Sequence, residues 1–99
     1  MTDARFHPDA QREFVAAGVR YEALRPGFGE RFIARVDDAV ASLSAAPTGG
    51  TRWAGGPVRT WRVRQFPYLV VYLPEPEGAV IVAVAHTRRR PGYWERRLE

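Results

Sequence analysis

The chain has 99 residues, enough for one small domain spanning residues 1–99 and too few for two. It contains no cysteine, which excludes disulfides, thiolate metal sites and thiol nucleophiles. Its net charge of +4 comes from 15 basic and 11 acidic residues; every basic one is an arginine, so none of these cations can give up a proton and act as a base.

In chain order, Arg5-Phe6-His7 reads as a short strand that Pro8 ends. Proline suits the first turn of a helix, where its missing N–H costs nothing, with His7 or Asp9 at the cap. Ala10, Phe14, Ala17, Tyr21 and Leu24 then recur at helical spacing, which predicts one apolar face. Arg25-Pro26-Gly27 breaks this helix, and a second starts near Phe28-Gly29-Glu30 with the stripe Phe32, Val36, Ala39, Val40 and Leu43. Pro47 and Gly49-Gly50 close it. The short connection makes the two helices an antiparallel hairpin.

Thr51 to Pro57 reads as a glycine-rich loop holding Trp53. Val58–Gln65, Phe66–Leu73 and Val80–Thr87 are rich in β-branched and aromatic residues and predict three strands, with a turn at Pro74–Gly78. Tyr93 to Leu98 predicts a short last helix. The fold class is therefore α+β: an N-terminal strand, a helical hairpin, then three further strands of a mainly antiparallel sheet and a short tail helix.

The last two long strands are apolar on both faces. Phe66, Tyr68, Val70 and Tyr72 alternate with Pro67, Leu69, Val71 and Leu73, and Val80, Val82 and Val84 alternate with Ile81, Ala83 and Ala85. Two helices cover one face only, and the small Ala83 and Ala85 are expected on that side. The tail from Tyr93 is too short to cover all of the other, so an apolar patch bordered by arginine is expected there, suited to a protein partner.

Charge is unevenly spread. Residues 1–38 hold six arginines and seven acids, residues 39–74 four arginines and no acid, and residues 86–99 five arginines and two glutamates. A basic second half attracts RNA, DNA or an acidic protein. Arginines interleaved with Trp53, Trp61 and Trp94 would suit a plain nucleic-acid-binding module, although no RNP strand or zinc finger is present. No metal is expected, because His7 and His86 stand without a paired carboxylate motif. No cofactor is expected either, since Gly49-Gly50 and Gly55-Gly56 lack the helix and lysine of a phosphate loop. The longest apolar run, Ala79 to Ala85, is well short of the ~20 residues of a membrane span. The opening Met-Thr-Asp-Ala-Arg-Phe has no apolar secretory stretch. A cytoplasmic chain with no membrane partner is the expectation.

Three segments carry a resemblance: Gly27-Phe28-Gly29-Glu30-Arg31-Phe32, Arg64-Gln65-Phe66-Pro67-Tyr68-Leu69-Val70-Val71-Tyr72, and Val84-Ala85-His86-Thr87-Arg88-Arg89-Arg90-Pro91-Gly92-Tyr93-Trp94. Together they resemble the RelE/ParE toxins of type II toxin–antitoxin modules, the plasmid stabilisation proteins, from Phe6 to Arg97. The resemblance implies a small toxin neutralised by a cognate antitoxin that wraps it, in a toxin–antitoxin hetero-oligomer. It leaves two activities open, since RelE-like members cut mRNA on the ribosome without a metal and ParE-like members poison DNA gyrase by protein contact.

A RelE-like reading assigns catalysis to Arg62, Arg64, His86, Arg88 (or Arg89) and Tyr93, with His86 or Tyr93 as the base. Two positions depart from that pattern. Thr60 stands where those enzymes often carry a lysine, and Leu69 where they carry a central arginine. The ParE-like reading is preferred. It makes Phe66, Tyr68, Arg88, Arg89, Arg90, Tyr93 and Trp94 partner contacts, in keeping with the frequency of Arg, Tyr and Trp among interface anchors.

Overall fold

The computed structural model describes residues 3–99. The chain runs β1 (Asp3–Phe6), α1 (Pro8–Leu24), α2 (Phe28–Ala45), β2 (Thr51–Arg52), β3 (Arg59–Arg62), β4 (Tyr68–Glu75), β5 (Gly78–His86) and a short 3-10 helix at Glu95–Leu98. The strands form one sheet in the order β1-β5-β4-β3-β2. β1 is parallel to β5 and every other pair is antiparallel. The α+β class and the helical hairpin agree with the sequence reading.

Both helices begin where local chemistry satisfies their first N–H groups. Pro8 opens α1, and the His7 side chain accepts the Asp9 N–H at 3.0 Å. Gly27 precedes α2 at φ 87°, a left-handed conformation that glycine adopts without strain. The cap of α2 comes from its neighbour: the Glu22 carboxylate accepts from Gly27 N at 3.0 Å and from Gly29 N at 3.1 Å. A Cβ at Gly29 would lie 2.5 Å from the Gly18 carbonyl oxygen, so the two helices meet there backbone to backbone.

Ala10, Ala17, Phe32, Val36 and Leu43 are fully buried under the sheet, as the two stripes predict. Tyr21, Phe28, Phe32, Phe66 and Tyr68 form a continuous aromatic cluster with ring centroids 4.9–6.2 Å apart. Leu24 departs from the stripe. It is the last residue of α1 and is 75% exposed, because the chain becomes extended at Arg25 and turns away.

The strands differ from expectation in four ways. Thr51–Arg52, read as loop, pairs with β3 as a short edge strand. Residues 63–67 form the β3–β4 turn rather than strand, because Gln65 adopts φ 70° and Pro67 has no N–H to donate. Phe66 is therefore no strand residue, although its ring still reaches the helix-side core. Pro74, read as turn, pairs with Ala79 within β4; β3 ends opposite Tyr72, so no third strand needs the missing N–H.

The fourth difference decides how the sheet is covered. β4 and β5 pair in register from Tyr68–His86 to Val71–Ala83, and then Tyr72 faces Ile81, so Val82 is an extra residue. The bulge turns Ala79, Ile81 and Val84 toward the helices, and Val80, Val82, Ala83 and Ala85 to the opposite face. Ala83 and Ala85 thus lie away from the helices, contrary to the sequence reading. Their small size makes room for Trp94, which is 3% exposed and meets Trp53 at 4.8 Å between centroids. Among the described residues the expected open apolar face is absent. Val58, Trp53, Tyr93 and Trp94 cover it.

The tail is held there by Glu13. β1 pairs with β5 only as far as Phe6–Ile81, where His7 N bonds Ile81 O at 2.8 Å, so β5 runs on with a free outer edge. Glu13 accepts the Val84 N–H at 3.1 Å, the Tyr93 hydroxyl at 2.7 Å and both terminal nitrogens of Arg97 at 2.9 Å. Arg97 also donates to Val82 O at 3.0 Å. The pair thereby closes the backbone groups that the end of β1 leaves open. The Glu13 and Arg97 side chains are 16% and 15% exposed, dry enough for the pairing to matter.

Two outcomes follow. Glu13→Ala leaves the Val84 N–H unpaired and Arg97 with only the Asp9 carboxylate at 3.7 Å, and should cost roughly 2–3 kcal/mol in urea unfolding, below the 3–5 of a wholly buried pair. Trp94→Ala empties the clamp over Ala83 and Ala85 and should cost about 3–5 kcal/mol by the same measurement.

Candidate functional site

The His86–Trp94 segment leaves β5 and folds back over the sheet. Arg89 N bonds His86 O at 3.0 Å and Tyr93 N bonds Arg90 O at 3.2 Å, which makes two successive tight turns. Gly92 at φ 82° permits the second, and its backbone presses against the Trp53 ring, where a Cβ would lie 3.2 Å away. The result is a narrow cleft of about 90 Å³ into which Thr60, Leu69, His86, Arg89, Arg90 and Tyr93 face.

His86 ends β5, half-buried, and its Nδ1 accepts the Arg88 N–H at 3.0 Å. Its ring meets Tyr68 edge-on at 5.1 Å. The Arg88 and Arg90 side chains are exposed, and neither makes a salt bridge among the described residues. Arg89 lies over the Tyr93 ring at 3.9 Å, a cation–π contact that fixes its direction. Tyr93 donates its hydroxyl to Glu13, and burial followed by the Glu13 hydrogen bond holds its ionisation well above the ordinary phenol value. At neutral pH it is a neutral donor engaged in structure.

The other candidates lie elsewhere. Arg62 and Arg64 line a separate cavity of about 370 Å³ against α2, beside Arg35, Asp38 and Trp61. The proposed catalytic set is thus divided between two cavities. Leu69, opposite Arg62 across the β3–β4 pair, faces the tail cleft from the middle of the sheet beside Val71. Phe66, Tyr68 and Trp94, expected as partner contacts, are 6%, 4% and 3% exposed and serve as packing in this chain. Arg88, Arg89, Arg90 and the edge of Tyr93 are what the segment offers outward.

Sequence reasoning missed Glu13 and Arg97, which lie 84 positions apart and come together only through the fold. It also missed the exposed apolar surface that does exist. Val15, Val19 and Ile33 are 54%, 64% and 44% exposed and border a groove of about 370 Å³ between α1 and α2, floored by Gly18 and Gly29 and edged by Glu22 and Glu30. Val15 and Val19 stand one turn apart on α1, off its buried stripe, and that was the available signal. Among the described residues, no three of His, Asp or Glu gather as a metal site, and no helix is long and apolar enough to cross a membrane.

Comparison with known proteins bears on this layout. The model of the ParE toxin of type II toxin–antitoxin systems (parDE) matches residues 4–91. A solved structure described as the chromosomal ParDE toxin–antitoxin system from P. aeruginosa superposes with a TM-score of 0.73 at 18% identity, covering 87% of this chain and 96% of that one. At that identity the likeness speaks for the fold. No curated protein matches the sequence. With the family match running through the helical hairpin, all five strands and the arginine turn, the chain belongs to the ParE toxin family of type II toxin–antitoxin systems.

Proposed function

We propose that this chain acts as a ParE-like toxin that inhibits DNA gyrase through protein–protein contact and is neutralised by a cognate antitoxin, in the cytoplasm, as part of a plasmid-stabilisation type of module. The observation that carries the choice over mRNA cleavage is the state of Tyr93. A ribonuclease needs a group to take the 2′-hydroxyl proton and another to protonate the leaving oxygen. Tyr93 has its hydroxyl committed to Glu13 and its ionisation pushed upward, and Arg62 and Arg64 lie in a different cavity from His86 and Arg89. Leu69 faces the cleft where a cation would be needed to neutralise a phosphorane, a contact worth roughly 10²–10³ in rate.

Support for protein contact comes from two surfaces. The Arg88-Arg89-Arg90 turn projects three guanidinium groups on a short, backbone-braced loop, suited to an acidic patch on the target. The α1–α2 groove supplies the apolar surface that the sheet does not. Its lining of Val15, Val19 and Ile33 suits the apolar face of an antitoxin helix, and Glu30 at its edge suits a basic residue on that helix.

The test is to add the purified chain to gyrase and supercoiled DNA, and to induce it in bacteria while mapping 5′ ends of a translated mRNA. Accumulated gyrase–DNA cleavage complexes with intact transcripts are expected; new 5′ ends inside codons, lost when translation is arrested, would overturn the reading. Tyr93→Phe removes one hydroxyl, should cost about 1–2 kcal/mol of stability, and should leave toxicity within twofold; a loss of a hundredfold or more would restore the nuclease. Val19→Asp with Ile33→Asp should leave gyrase inhibition intact and weaken antitoxin binding at least tenfold by titration calorimetry.

A further inference from the structure

A further polar cavity, of about 310 Å³, opens beside α1 on the other side of His86. Arg12, Glu13, Arg20, Tyr68, His86 and Arg89 line it. Two of these are already neutralised. Arg12 pairs with Asp9, and Glu13 is occupied by Arg97, Tyr93 and Val84 N. What remains is a set of donors. Arg20 donates at 2.8 Å to the Tyr68 hydroxyl, a neutral acceptor, and Arg89 lies on the Tyr93 ring; neither guanidinium meets a carboxylate among the described residues. The Tyr68 oxygen accepts from Arg20, which leaves the hydroxyl proton to donate. His86 spends Nδ1 as the acceptor of Arg88 N–H, which places the proton of the neutral ring on Nε2.

The cavity therefore presents two guanidinium groups, a phenolic O–H and an imidazole N–H, with no free acceptor and two uncompensated positive charges. A carboxylate would leave half that charge unmatched. A phosphate monoester carries close to two negative charges at neutral pH and has three terminal oxygens for such donors. We infer that this cavity binds a phosphate monoester group, gripped by Arg20 and Arg89 and oriented by Tyr68 and His86. The shared chemistry is the terminal phosphate, whether inorganic, on a nucleoside monophosphate or on a phosphorylated side chain.

The test uses the whole chain and titration calorimetry at low salt, with inorganic phosphate, 5′-AMP, O-phosphoserine and acetate as separate probes. At least one phosphate probe should bind with one-to-one stoichiometry and at least tenfold more tightly than acetate. The probe that binds tightest identifies the source. Arg89→Gln, at an exposed position, and Arg20→Gln should each weaken binding at least tenfold, with unchanged circular dichroism confirming the fold. Arg62→Gln and Arg64→Gln, in the other cavity, should change it less than twofold. Equal binding of acetate would overturn the assignment. So would an equal loss from the Arg62 and Arg89 variants, which would mark a diffuse basic surface, or the absence of binding by every phosphate probe.

Discussion

One carboxylate, that of Glu13, joins the three parts of this molecule. It projects from α1, accepts a backbone N–H of β5, and accepts side-chain donors from two residues of the tail. Without it the outer edge of β5 beyond β1 would be open, and Arg97 would keep only the looser Asp9 carboxylate, 3.7 Å away, as a counter-ion. Because the tail is held, Trp94 stays over Ala83 and Ala85, and the arginine turn between His86 and Tyr93 is anchored at both ends. The geometry of the exposed basic segment is thus set by an acid on the opposite side of the chain's order, which is how a small domain with a thin core fixes a loop.

Much of the scaffold was legible in the sequence, because periodicity is a local property. The two helices follow from their stripes and from proline and glycine at their ends, and both long strands follow from β-branched runs. The face assignment of β5 was not legible. Alternation counts residues, and the extra residue at Val82 exchanges the faces on either side of itself. Small Ala83 and Ala85 can lie beneath a helix or beneath an indole, and nothing in the strand itself distinguishes the two. The cover provided by Trp53 and Trp94 depends on a contact between residues 41 positions apart, which no window along the chain reveals.

The site was legible in composition and less so in arrangement. Arginines after a β-strand, with a tyrosine and a tryptophan following, pointed to a segment that the structure folds back over the sheet as a braced basic turn. Which of those side chains face outward is a matter of packing. Tyr93 and Trp94 are neighbours in sequence with different duties: one ring lies between Arg89 and Arg97, and the other is buried in the second core. Leu69 was the most informative single residue, since an apolar side chain facing the cleft has the same chemical meaning before and after folding.

The approach of Gly18 to Gly29 has a consequence for recognition. Because the helices touch through backbone there, and Glu22 ties the end of one to the start of the other, the spacing between α1 and α2 does not depend on rotamers. The groove lined by Val15, Val19 and Ile33 therefore has a fixed width. A partner that fits it binds a preformed mould and loses only its own freedom on docking, whereas one with a bulkier ridge meets main chain that cannot yield. Shape selectivity on this surface thus originates in two residues that have no side chains.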